Sequence, residues 1–107
     1  MRLVILESPY SGDISGNVEY ARLCVRDSLV RGESPIASHL LYTQPGILRD
    51  EDEKERAHGI CAGLAWLPVA HATVVYCDKG ISLGMKHGIM KAETHGIPVE
   101  YRYILNA

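Results

Sequence analysis

The chain has 107 residues, is 47% hydrophobic and carries a formal charge of −2, which suits one self-stabilised core and excludes a disordered tract. No apolar run approaches the roughly 18–20 residues of a membrane span, and the dispersed Lys and Arg exclude a nucleic-acid polymer as partner. Cys24, Cys61 and Cys77 are odd in number and set among apolar neighbours, so they read as reduced core residues of a cytoplasmic protein. Met1 runs directly into a strand pattern, and no signal peptide is expected.

Arg2–Glu7 is a short apolar run that ends in Ser8-Pro9-Tyr10-Ser11-Gly12-Asp13, a loop rich in turn formers. From Asn17 to Arg31, Val18, Ala21, Val25 and Leu29 recur at helical spacing, and Gly32 supplies the stop. Pro35–Tyr42 reads as a second strand. Asp50 with Glu53 makes a capping-box-like helix start, after which Ala57, Ile60, Cys61 and Leu64 form a stripe that ends near Pro68. Ala72–Cys77 is a third strand. A third helix spans about Ser82–His95, with Met85, Ile89 and Ala92 on one face and Gly96 beyond its end. Pro98–Ile104 is the last strand, alternating and begun by Pro, as at a sheet edge.

Strict alternation of strand and helix predicts an α/β fold: a three-layer, mostly parallel four-stranded sheet with helices on both faces and strand one central. Residues 1–107 form a single domain in this reading. The C-terminal strand ends of such a sheet share one crevice. It would gather Glu7–Asp13, His39–Thr43 and Asp78–Ser82.

Several residues there suit a small polar ligand, each with a structural alternative. Tyr10 could stack on a base or close a loop over the core. Asp13 could accept from sugar hydroxyls or cap a helix, and both can hold at once. Asn17 could touch ligand or serve the cap. His39 could reach ligand or sit hydrogen-bonded in the core. Arg56 could meet a phosphate or pair with Asp52 on its own helix. Ser82, between Gly80 and Gly84, could hold ligand or cap the helix. His58, His87 and His95 lack metal-ligand spacing, and neither a P-loop nor a dinucleotide fingerprint is present. No metal or cofactor is expected.

The segment Asp78-Lys79-Gly80-Ile81-Ser82-Leu83-Gly84-Met85, opening a helix after a buried strand, resembles the nucleoside 2-deoxyribosyltransferase-like superfamily. That superfamily includes nucleotide N-glycosidases and is distantly related to TIR domains. The Ser8-Pro9-Tyr10-Ser11-Gly12-Asp13 loop and Asn17 match it too. The resemblance implies a Rossmann-like nucleotide pocket formed by Ser8, Pro9, Tyr10, Ser11, Gly12, Asp13, Asn17, Asp78, Gly80, Ser82, Gly84 and Met85, to which the end of the second strand would add His39. It also implies a nucleophilic Glu at position 88, where this chain has Gly88.

That departure favours a protein that binds a nucleotide-derived molecule without cleaving it. By analogy with compact phage proteins, it would be an anti-defence sponge for a nucleotide immune signal, working in the host cytoplasm. The alternative is an N-glycosidase or deoxyribosyltransferase in which Asp78 or Glu7 takes over catalysis, with Glu100 a further candidate carboxylate. If instead the chain is catalytically silent, Gly88→Glu would restore a nucleophile on a helix that faces the crevice. A homo-oligomer is expected, with Tyr42, Trp66 and Met90 at its interface.

Overall fold

The computed structural model describes residues 1–105; the expected domain, 1–107, also takes in Asn106 and Ala107, which lie outside the described residues. Four strands, β1 (Arg2–Glu7), β2 (Glu33–Ile36), β3 (Ala72–Tyr76) and β4 (Val99–Arg102), form one sheet in the order β2-β1-β3-β4. All three pairings are parallel. The two most apolar runs, β1 and β3, take the centre, and every residue of β3 is buried. Sheets covered on both faces demand such strands. Pro35 lies in edge strand β2 and Pro98 precedes edge strand β4, where a missing N–H costs least. Glu7 pairs with Val75, so β1 and β3 finish side by side.

The helices are α1 (Ile14–Val30), α2 (Ser38–Leu41), α3 (Glu53–Leu64) and α4 (Leu83–Thr94), with a 3₁₀ turn at Leu67–Val69. Side chains alternate across the sheet. Val4, Leu6, Val74 and Tyr76 pack with Tyr20 and Cys24 of α1 on one face. Ile5 and Val75 meet Leu67, Met85, Ile89 and Ala92 on the other. Helices therefore cover both faces, as the alternation of elements predicts.

Some boundaries differ from the sequence reading. The second strand ends at Ile36, and Ser38–Leu41 is a helical turn rather than strand. The buried face of α1 is Asn17, Tyr20, Ala21, Cys24 and Ser28, while Leu29 is exposed. Three of those five carry polar groups, each with a partner. α3 is capped by Asp52, whose carboxylate accepts from the N–H groups of Lys54 and Glu55, not by Asp50. Gly63 is the buried residue of this helix. Cys24 and Cys77 are buried, but Cys61 is exposed, because α3 lies beside the sheet opening instead of flat on the sheet.

The α1 face also holds an ion cluster. Arg102 donates to both carboxylate oxygens of Glu33, at 2.8 and 2.7 Å. Ser28 donates to Glu33 at 2.8 Å, and Tyr76 donates to Asp27 at 2.8 Å. Arg2 bridges Glu33 and Glu100. Guanidinium–carboxylate forks of this kind satisfy buried charges at both ends.

Candidate functional site

At the C-terminal end of β1 lies a cleft of about 590 Å³. The loop after β1 contributes Ser8, Tyr10 and Ser11, the start of α4 contributes Ser82 to Met85 with His87 and Gly88, and α2 with α3 supplies the opposite wall. Each wall has a local cause. Asn17 is buried at the start of α1 and donates to the carbonyls of Tyr10 (3.0 Å) and Ser11 (3.1 Å), which fixes the loop. Gly12, at φ +98°, makes the turn that brings Asp13 to the helix N-cap. Ser82 caps α4, its hydroxyl accepting from the N–H of Met85 at 3.2 Å. Gly80, at φ +85°, lets the chain turn back from β3 toward that cap. On the far wall, a Cβ on Gly63 would stand 2.8 Å from the Cβ of Ser38, so only glycine lets α3 approach α2 this closely.

The cleft is mainly apolar, with a few fixed polar groups. Ser8 and His39 are hydrogen-bonded at 2.5 Å, and burial pushes the imidazole down to about 4, which keeps it neutral. Asp50 lies 3.5 Å from the Nε of Arg56, and Glu55 lies 3.5 Å from the Nε of Arg49. Arg56 thus pairs with Asp50, not with Asp52.

Glu7 is different. It projects from the last residue of central strand β1 into the cleft and takes part in no ion pair or side-chain hydrogen bond among the described residues. Burial pushes its carboxyl up to about 8. It rests on Gly88. A Cβ built there would stand 2.7 Å from Glu7 Cδ and closer still to a carboxylate oxygen. The carboxylate that the resemblance places at position 88 is missing, and the space above that position holds the carboxyl of Glu7. Gly88→Glu would therefore collide with Glu7, which removes the simple restoration that the sequence suggests.

The structure brings Glu7, Ser8, Tyr10, Ser11, His39, Ser82, Gly84 and Met85 together in the cleft. Pro9, Gly12, Asp13, Asn17 and Gly80 shape its walls without lining it. Asp13 accepts from the N–H of Gly16 as a helix cap. Asp78 turns away from the cleft. It accepts from the Tyr20 hydroxyl (2.6 Å) and from the N–H groups of Ile104 (3.0 Å) and Leu105 (3.0 Å). Partial burial would raise its carboxyl, but those bonds outweigh burial and hold it below the usual range. It fastens the segment after β4. Glu100 is tied to Arg2 and Arg102 on the face opposite the cleft.

Sequence reasoning missed Leu48, Glu55, Gly59 and Gly63 on the α3 side, together with the fit of Gly88 beneath Glu7. A signal was present: glycine inside a helix costs about 1 kcal/mol relative to alanine, and positions 59, 63 and 88 place three inside helices. Such glycines mark close approaches.

Sheet order, parallel pairing and a cleft at the strand ends define an α/β fold of the deoxyribosyltransferase type. The structure resembles that of a 2-deoxyribosyltransferase from the psychrotolerant bacterium Bacillus psychrosaccharolyticus, with a TM-score of 0.65 and 18% sequence identity over 97% of this chain and 77% of that one. The chain belongs to the family described as Domain of unknown function (DUF7768), whose profile matches residues 2–102. No curated protein matches.

Proposed function

We propose that the protein binds a nucleoside-type small molecule in this cleft and acts on its N-glycosidic bond, by hydrolysis or by transfer of the sugar. The observation that carries this reading is the free carboxyl of Glu7 at the end of β1, facing a cleft large enough for a base and a pentose. The preference for binding without cleavage rests on the missing carboxylate at position 88, which is still missing; Glu7 offers a carboxyl from a different element. Tyr10 offers an aromatic face for the base, and Ser11, Ser82 and the neutral His39 offer hydrogen bonds for base or sugar.

A second reading, retention without cleavage as in a sponge for a nucleotide signal, is favoured by a different observation. A carboxyl raised to about 8 is mostly protonated at neutral pH, and a protonated acid is a poor nucleophile. Incubating the purified protein with a panel of nucleosides, 2′-deoxynucleosides and their 5′-monophosphates, then quantifying free base by chromatography, separates the two. Release of base supports action on the bond. Tight binding with every ligand recovered intact supports the sponge.

Self-association is part of the proposal. Trp66 donates to the Tyr42 hydroxyl at 3.2 Å beside the cleft, and Trp66 and Met90 are exposed. A monomeric mass by light scattering at micromolar concentration would remove that element.

A further inference from the structure

We infer that Glu7 is the nucleophile of this cleft and that Gly88 is its fitted seat, so that β1 supplies the reacting carboxylate and α4 supplies only the space for it. The inference rests on the nucleoside reading above and gives it a named reacting atom. Three observations bear on it. Among the cleft carboxylates, Asp50 faces Arg56 and Glu55 faces Arg49, whereas Glu7 faces no cation. A side chain at position 88 is excluded by Glu7, whose carboxyl supplies the three nearest atoms that a Cβ there would meet. Glu7 also lies at the end of a central strand, where the backbone holds it more firmly than a loop would. A half-buried, unpaired acid is costly to keep, and such a group in the wall of a cleft is characteristic of a reacting residue.

The step balances without a cofactor. An oxygen of the ionised Glu7 carboxylate attacks C1′ of the sugar as the C1′–N bond breaks. The base leaves with that bond's electron pair and takes a proton from solvent, and a glycosyl ester of Glu7 remains. Water then attacks C1′, the ester C–O bond breaks, and free sugar and carboxylate are released with one proton to solvent. A second base in place of water gives transfer. The substrate class is an N-glycoside of a pentose with a heterocyclic base, whose base would lie toward Tyr10.

The test uses the whole protein and 2′-deoxy-2′-fluoroarabinonucleosides, whose fluorine slows breakdown of a glycosyl ester. Peptide mass spectrometry should place the sugar adduct on the peptide containing Glu7. Base release from ordinary 2′-deoxynucleosides should fall by about a thousandfold or more in Glu7→Gln. Gly88→Ala should lower both activity and thermal stability, and it should cost little stability in a Glu7→Ala background, because the clash is with Glu7 itself. An adduct on another residue, or cleavage that persists in Glu7→Gln, overturns the assignment and leaves the nucleoside reading standing. Binding of nucleosides with no cleavage by the unmodified protein overturns it in favour of the sponge. Neither binding nor cleavage overturns both.

Discussion

Burying Glu7 costs the fold stability at neutral pH, and the size of that cost follows from its proton equilibrium. In the unfolded chain the carboxyl ionises near 4.5, and in the folded protein near 8. Below the unfolded value both states are protonated and there is no penalty. As pH rises from 4.5 toward 8 the unfolded state alone ionises, and the fold loses up to about 3 kcal/mol by pH 7. Glu7→Gln keeps the shape and removes the charge. It should raise the melting temperature at pH 7 by several degrees, leave it nearly unchanged at pH 4, and abolish turnover. A lower melting temperature at pH 7 would contradict the burial described for Glu7. For the same reason, Glu7-dependent turnover should increase with pH through about 8. Nearby, His39, Asp50, Glu55, Arg56 and His87 line the cleft; His39 is already neutral well below that range.

Among the elements, the strands were legible and the cleft wall was not. Runs such as Val4-Ile5-Leu6 and Thr73-Val74-Val75 announce buried strands through β-branched continuity, and their order along the chain implies parallel pairing. Ser38-His39-Leu40-Leu41 carries no such signal, because a single helical turn is too short to show a period. The stripe read on α3 as a core face is largely exposed, since its true contacts are with α2 and the cleft. Asp78 was placed correctly at the end of β3, but the partners that turn it away, Tyr20 and Ile104, are distant in sequence. Long-range partners of this kind leave no local trace. Gly63 tests the wall. Gly63→Ala should destabilise the protein by about 1–3 kcal/mol through overpacking against Ser38. It should also weaken ligand binding, because α3 must move outward; unchanged affinity by titration calorimetry would show that this wall does not touch ligand.

Across the whole molecule, the buried ion pairs lie on the α1 side of the sheet. Hydrogen bonds from Arg102, against the opposing effect of burial, hold the Glu33 carboxyl down at about 2. Its contribution is fully present above about 4.5 and is lost as pH falls toward 2. Glu100 is lowered too, chiefly by Arg2. Urea midpoints should therefore fall steeply between pH 5 and 2, and less steeply in Glu33→Gln. Arg102→Met, which leaves the Glu33 carboxylate to Arg2 and Ser28 alone, should cost up to about 3–5 kcal/mol. A midpoint that hardly changes with acid would remove the cluster from any role in holding the sheet.

The sheet keeps that cluster on one side and Glu7 with its cleft on the other. Inheritance of the two halves is thereby uncoupled. Substitutions at Tyr10, Ser11, Leu48 or Ile60 can alter what the cleft accepts while the charged keystone behind the sheet goes on holding the strands. A lineage built on this plan can change its diet without rebuilding its skeleton, and related chains should differ most around the cleft mouth and least along the α1 face.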